Sequence, residues 1–373
     1  MKTKVIKISS SNLEAAVTEA GEILDKGGIV GFPTETVYGL AARVDHPDGL
    51  KNLQQIKNRP DDKAFTLHIG EKSALTHYVP NLSLLDRQFL RKAWPGPLTV
   101  IFKLNTQQLD DINNNLSSEL IDLLYYNHSI GIRLPDHEVA RSLLSAANGP
   151  IVAPSANPAE ASAPNCAEDV LKHLDGQIEL LLDSGPTRYA KSSTIIELQG
   201  DGFKVIREGV LDKAAIGRMR KVSILFVCTG NSCRSPMAEG ILRQRLAEML
   251  SCPVDQLAEK GYKVHSAGVM AYNGAAATPE AVKACDEIGV DISGHHSRLL
   301  TADMVNEADV ILTMDSSHAE YVRLLSPATE VKTALLAEKD IADPIGMSLE
   351  VYRKCAAQIA ENIDKQLESG LLA

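Results

Sequence analysis

The sequence has no C-x-x-C pair. Its six cysteines, at positions 166, 228, 233, 252, 285 and 355, are scattered over 373 residues. That spacing excludes a disulfide-framed secreted domain and leaves free thiols. Apolar runs all fall well short of the ~18–20 residues that span a bilayer, and Met1–Ser10 lacks the apolar stretch of a signal peptide. These absences predict a cytoplasmic protein with no membrane partner. Basic charge is also scarce: 38 Lys and Arg face 48 Asp and Glu, a formal charge of −10, which removes the simplest argument for a general nucleic-acid binder. What is present is 44% hydrophobic and 23% charged residues, the balance of a folded chain long enough for two or three domains.

Helical and strand periods alternate along the chain. Ser11 and Glu14 form a capping-box pattern ahead of Leu13, Ala16, Val17, Ala20, Ile23 and Leu24, a helix closed by Gly27-Gly28. Residues 29–32 read as a buried strand that Pro33 ends, 98–104 and 130–134 as strands, 138–147 as a helix, and 151–153 as a strand entering a Pro-rich turn. A linker is expected at 211–221, between a domain at 1–210 and one at 222–373. Beyond it the order is strand 223–227, helix 236–250, strand 264–266, helix 279–288, strand 310–314 and a last helix 349–367. Such alternation predicts a parallel sheet with helices on both faces.

Chemistry is densest after the first strand of the second domain. Cys228 stands at its end, followed by Thr229, Gly230, Asn231, Ser232, Cys233, Arg234, Ser235 and Pro236. Pro236 suits the first helical position, with Ser235 as its cap. Backbone N–H groups and a helix N-terminus then converge on one point that favours a phosphate dianion. The same field should favour the Cys228 thiolate, and Arg234 supplies a planar fork for two phosphoryl oxygens. Asp343, in Asp343-Pro344-Ile345-Gly346, is a carboxyl on a separate loop and a candidate proton donor.

This segment resembles the low-molecular-weight protein tyrosine phosphatase family, through Val227–Pro236, Ser266-Ala267-Gly268 and Asp343–Gly346. The resemblance implies a Rossmann-like parallel-sheet fold and a cysteinyl-phosphate mechanism without cofactor. Cys228 would be the nucleophile, Arg234 the phosphoryl ligand, Asn231 and Ser235 the residues that orient loop and thiolate, and Asp343 the general acid. Related bacterial protein arginine phosphatases carry a hydroxyl residue where Ser232 stands, so phosphoarginine competes with phosphotyrosine as the expected substrate.

In the first domain the polar groups are dispersed at strand ends and in Gly/Pro-rich loops: Thr34, Lys57, Arg59, His68, Thr99, Arg133, Ser155, Asn157, Ser193 and Arg207. Lys57 and Arg59, two residues apart at a helix exit, make a clamp suited to a nucleotide's phosphates. Together these segments resemble the Sua5/YrdC/YwlC-type threonylcarbamoyl-AMP synthases, which have a twisted mixed-sheet α/β domain. The resemblance implies an enzyme that joins L-threonine, bicarbonate and ATP, with Mg2+ accompanying the ATP, for the t6A37 modification of tRNA. Thr34, His68, Thr99 and Arg133 would hold threonine, and Lys57, Arg59, Ser155, Asn157, Ser193 and Arg207 would hold ATP, with no metal ligands assigned. The expected partners are these substrates, a phosphoprotein, and tRNA or the t6A transferase machinery. A competing reading makes the first half only an RNA-binding module attached to an active phosphatase.

Overall fold

The computed structural model describes residues 2–58, 65–159, 161–200, 202–369 and 372. They form two compact units, Met1–Leu82 with Leu90–Met219, and Ser83–Phe89 with Arg220–Ala373. No described helix is long and apolar enough to cross a membrane.

The first unit is a mixed sheet. Its described strands are β1 (Lys4–Lys7), β2 (Val30–Phe32), β3 (Gly39–Arg43), β4 (Leu67–His68), β5 (Leu98–Lys103), β6 (Ser129–Arg133), β7 (Ile151–Val152), β8 (Leu180–Asp183), β9 (Thr194–Gln199) and β10 (Gly202–Arg207). They lie in the order β1-β8-β2-β3-β7-β4-β6-β5-β9-β10. Parallel pairs (β1 with β8, β4 with β6, β5 with β9) are mixed with antiparallel ones such as β5 with β6. Helices Leu13–Asp25 and Glu138–Ala146 bury Ala16, Ala20, Leu24, Val139, Ala140 and Leu143 against Val30, Phe32, Leu180 and Leu182. The first of these helices differs from its predicted start. Asn12, not Ser11, stands at the cap, its amide joining Ser9 N and Lys7 O, while the Ser11 hydroxyl meets that of Ser9. The Asn12 amide, with separate donor and acceptor atoms, reaches back to two backbone groups and ties the end of the strand to the helix, while the Ser11 hydroxyl reaches only that of Ser9.

The second unit is a four-stranded parallel sheet, as the alternation predicts: β11 (Val222–Cys228), β12 (Tyr262–Gly268), β13 (Val310–Thr313) and β14 (Thr333–Leu335), in the order β12-β11-β13-β14. The central strand β11 is flanked on both edges and buried almost throughout, as an apolar run in a parallel sheet must be. Helices Arg234–Met249 and Leu349–Glu368 pack on one face through Met237, Ile241, Leu242, Ile359 and Ile363, and a smaller cluster around Leu225, Val305 and Ile311 fills the other. Between β10 and β11 the expected linker contains the helix Lys213–Met219.

Candidate active sites

In the first unit, strand register assembles groups that are far apart in the chain. His68 pairs with Arg133 across β4 and β6, Arg133 with Thr99 across β6 and β5, Thr99 with Ile195 across β5 and β9, and Ile195 with Arg207 across β9 and β10. Residues directly opposite one another in a sheet share a face. This transverse row therefore lays His68, Arg133, Thr99 and Arg207 side by side along a cavity of about 270 Å³ that Lys57, Ser155 and Ser193 also line.

Among the described residues, three cations converge there. Lys57 Nζ donates to Ser155 O at 2.9 Å, Asn157 O at 2.5 Å and Asn157 Oδ1 at 3.3 Å, so it holds the loop after β7 on the cavity wall. Arg207 donates to Ser193 O and Oγ, and Ser193 Oγ meets Thr99 Oγ1 at 3.0 Å. Burial, with Arg133 nearby, pushes the Arg207 pKa down. Arg133 Nη2 donates to Glu35 Oε1 at 2.9 Å and Thr36 Oγ1 at 2.7 Å. Glu35 and Arg133 are a buried pair, their side chains 1% and 7% exposed, and Glu35 Oε2 and Arg133 Nε have no hydrogen-bond partner among the described residues. The fork is thus anchored on one edge only. His68, 6% exposed, is pushed down to a pKa of about 3 by burial and then by Arg133, while its Nδ1 lies 3.1 Å from Thr66 O. A neutral ring that donates from Nδ1 keeps the Nε2 lone pair as an acceptor for a substrate N–H or O–H.

Two expected ligands are not cavity-lining. The Thr34 hydroxyl is spent within its own loop, on Thr36 Oγ1 and Val37 O, and the Asn157 amide closes a turn on Pro158 O and Ala161 O. Arg59 lies outside the described residues. Thr36 and Thr66 have no expected role from sequence, and Glu35 stands there only as one of the loop polar groups beside Thr34, the one acidic residue in Thr34–Gly39.

In the second unit, four carbonyls of the loop after β11 are tied outward. Cys228 O accepts from Val269 N, Thr229 O from Met270 N, Asn231 O faces His295 Nε2 at 2.8 Å, and Ser232 O accepts from Thr278 N. With its carbonyls held outside, the loop turns N–H groups inward, and Asn231 N reaches Cys228 Sγ at 3.2 Å. Asn231 occupies the left-handed region, φ 53°, and its amide bonds Ser235 Oγ, Ser266 Oγ and Arg298 N, while Ser266 Oγ donates to the buried Glu239. A Cβ on Gly268 would lie 2.5 Å from Thr229 O, so that position must be glycine for β12 to approach the loop. The helix begins at Arg234 with Cys233 as its cap, two residues earlier than predicted. Pro236 is tolerated inside because first-turn N–H groups have no helical acceptor.

Cys228 is 2% exposed. Burial raises its pKa above that of an ordinary thiol, and Ser235 Oγ at 2.9 Å, the Asn231 N–H and Arg234 pull it back only in part. Desolvation thus opposes the thiolate that the loop N–H groups and Arg234 favour, a cost that residue types alone do not show. Arg234 uses four of its five N–H donors: Nη1 on Asp315 Oδ2 and Ile341 O, Nη2 on Thr229 Oγ1 and, at 2.5 Å, Asp343 Oδ2. Nε is buried and unpartnered among the described residues. Asp315 caps the helix Ser316–Leu325. Burial works against its charge, but Ser317, His318 and Arg234 more than offset this and hold its pKa low. Asp315 and His318 were missed from sequence, although an aspartate at a strand end three residues before a histidine is a visible pattern. Cys233 Sγ meets Tyr352 OH at 3.3 Å and Thr278 Oγ1 at 3.5 Å, and Ser232 is half-buried at the loop's rim.

The Sua5_yciO_yrdC family model, described as telomere recombination, matches residues 22–209, and the model for low molecular weight phosphotyrosine protein phosphatase matches residues 223–370. A threonylcarbamoyl-AMP synthase from Bacillus subtilis is 32% identical over 206 residues, 55% of this chain, and the chain spans only 57% of that relative's length. A probable low molecular weight protein-tyrosine-phosphatase, EpsP, from Ralstonia nicotianae is 37% identical over 145 residues, 38% of this chain and 91% of the relative. A solved structure of a doubly substituted Sua5 from P. abyssi superposes with a TM-score of 0.50 at 21% identity, over 89% of this chain and 98% of that one, a likeness of fold.

Proposed function

Because the chain belongs to the Sua5/YrdC family through residues 22–209 and to the low-molecular-weight phosphatase family through residues 223–370, we propose that it is a bifunctional enzyme. Its first unit forms threonylcarbamoyl-AMP from L-threonine, bicarbonate and ATP for tRNA t6A37 modification. Its second unit hydrolyses a phosphoprotein through a cysteinyl-phosphate.

The observation that carries the synthase reading is the transverse row His68, Arg133, Thr99, Arg207 beside Lys57. In the proposed reaction a carbamate oxygen of N-carboxythreonine bonds to the α-phosphorus of ATP while the bond to pyrophosphate breaks. Negative charge builds on the leaving group, and no protein nucleophile is required. Arg207 and Lys57 lie where such charge needs neutralising, and Arg133 and the His68 Nε2 lone pair suit the carboxylate and the hydroxyl or nitrogen of threonine. No carboxylate is among the described residues lining this cavity, and none of the described residues forms a group of three His, Cys, Asp or Glu fit for a metal. In this reading Mg2+ accompanies the triphosphate as part of the substrate. Pyrophosphate release dependent on both threonine and bicarbonate, lost in Arg207→Ala and Lys57→Ala while phosphatase turnover persists, is the test. Undiminished release in both variants rejects the assignment.

For the phosphatase, the Cys228 thiolate attacks phosphorus while the bond from phosphorus to the leaving atom breaks and that atom takes a proton from Asp343. Water then attacks the thiophosphate with Asp343 as base, restoring Cys228. Once Asp343 turns to the leaving group, Arg234 presents Nε and one Nη2 proton as a two-pronged fork for phosphoryl oxygens. Ser232, small and hydroxylated at the loop's rim, supports phosphoarginine as a substrate at least as good as phosphotyrosine.

A further inference from the structure

Resting on the phosphatase reading, a closed ring of four side chains stands at the phosphate loop, and three of its members, Thr229, Asp315 and His318, have no part in the chemistry above. Arg234 Nη1 donates to Asp315 Oδ2 at 3.2 Å. Asp315 Oδ1 lies 2.9 Å from His318 Nδ1. His318 Nε2 lies 2.9 Å from Thr229 Oγ1, and Thr229 Oγ1 accepts from Arg234 Nη2 at 3.2 Å. We infer that His318 is a positioning residue for phosphate capture, acting through Thr229 to set the edge of the Arg234 guanidinium that faces the loop.

The direction of each hydrogen bond follows from what each group can do. The Asp315 carboxylate only accepts, and its Oδ1 already takes His318 N and Ser317 Oγ. A bare Nδ1 lone pair 2.9 Å from that oxygen would be repelled, so Nδ1 carries the imidazole proton. The contact is ion-dipole rather than a well-aligned bond, since the His318 N–H does not point squarely at the oxygen. Burial, only partly offset by Asp315, lowers the His318 pKa and keeps the ring neutral near pH 7. Nε2 is then an acceptor, and the proton it accepts is that of the Thr229 hydroxyl.

The consequence falls on Arg234. A Thr229 hydroxyl that donates to His318 offers its lone pairs towards Nη2. Without the imidazole, the hydroxyl rotor is free to turn its proton at the guanidinium, and the oxygen no longer holds Nη2 in plane. Asp315 fixes the far nitrogen, Nη1. Thr229 fixes the near one, whose second proton must leave Asp343 and meet phosphate together with Nε. His318, 2% exposed and on the helix Ser316–Leu325 that Asp315 caps, joins the two anchors through one rigid ring.

Calorimetric titration of the full chain with inorganic phosphate, which requires no turnover, is the test, made alongside kcat and KM on a phosphatase substrate. We expect His318→Ala and Thr229→Val each to weaken phosphate about tenfold and to raise KM in step. The double variant should be no weaker than the poorer single one, because the two residues act in series. Thr229→Ser, which keeps the hydroxyl, should bind like the parent. His318→Gln, whose amide oxygen can take the hydroxyl proton, should recover most of the loss. Losses that multiply in the double variant, phosphate affinity unmoved in Thr229→Val, or a parent that binds no phosphate overturn the inference. Should His318→Ala fail to fold, Thr229→Val against Thr229→Ser, both on the half-exposed loop, decides it. A parent that binds phosphate but does not turn over any phosphomonoester or phosphoramidate refutes the phosphatase reading instead, and the binding series still judges the ring.

Discussion

Replacing Asp343 with asparagine should move binding and turnover in opposite directions. In the unliganded protein the Asp343 carboxylate sits 2.5 Å from Arg234 Nη2 and so occupies a donor that the phosphoryl group must use. Its side chain is 35% exposed against 4% for Arg234, so water screens the pair and its rupture costs only about 0.5–1.5 kcal/mol rather than the value for a fully buried ion pair. A neutral amide removes most of that competition. Inorganic phosphate, as a competitive inhibitor, should then bind roughly twofold to tenfold more tightly to Asp343→Asn. The same change deletes the proposed proton donor for the leaving group, which should cost kcat roughly 10²- to 10⁴-fold. The assay is steady-state kinetics with a substrate whose leaving group needs protonation, with phosphate inhibition constants measured in parallel. A substrate with a good leaving group should lose much less kcat. Weaker or unchanged phosphate affinity in the variant would refute the idea that Asp343 is displaced from Arg234 when phosphate enters.

Other expectations follow from the same geometry. His68 has a folded pKa of about 3 against roughly 6.5 in an unfolded chain, so between those values the unfolded state holds more protons, and stability is lost as pH falls through 6.5. At pH 5 the loss from this group is about 2 kcal/mol. Urea unfolding at pH 7.5 and 5 should therefore show His68→Gln with a shallower pH dependence than the parent, and equal slopes contradict it. Breaking the buried Glu35–Arg133 pair by Glu35→Ala should cost about 3–5 kcal/mol, because Arg133 is left uncompensated near Arg207; a shift under 1 kcal/mol by the same method shows the pair to be solvated. Ser232→Ile should lower kcat/KM on phosphoarginine peptides relative to matched phosphotyrosine peptides, by an amount on the order of 1–3 kcal/mol. A ratio that stays put removes Ser232 from specificity. Peroxide inactivation of the phosphatase should be reversed by thiol reductant in the parent and not in Cys233→Ser; equal recovery would leave Cys233 as a packing residue against Tyr352.

The phosphate loop was legible because it is local. From Val227 to Pro236 a strand, a tight turn and a helix start follow in ten consecutive residues, and each has its own signature in residue type. Its supports were not legible. Asp315 and Ile341 reach Arg234, and His318 reaches Thr229, only because β13, with the segments that follow β13 and β14, comes to lie beside β11. Local reading also misplaced two helix starts, expected at Ser11 and Ser235, where neither observed cap, Asn12 or Cys233, accepts a side-chain hydrogen bond from the helix, the bond on which a cap signature in sequence rests.

By itself, then, the sequence determined the alternating α/β character of both halves and their likeness to two enzyme families, and within the second the loop that carries Cys228, the candidate nucleophile, and Arg234, since short-range patterns carry all of these. The tertiary structure alone decided the pairing that sets His68, Arg133, Thr99 and Arg207 in one row. It also decided the burial that raises the Cys228 pKa, the carboxylate already seated on Arg234, and the imidazole behind Thr229. The physical reason is common to all four. Strand order and desolvation are properties of contacts between distant segments, and these have no period or spacing in the chain from which to be read.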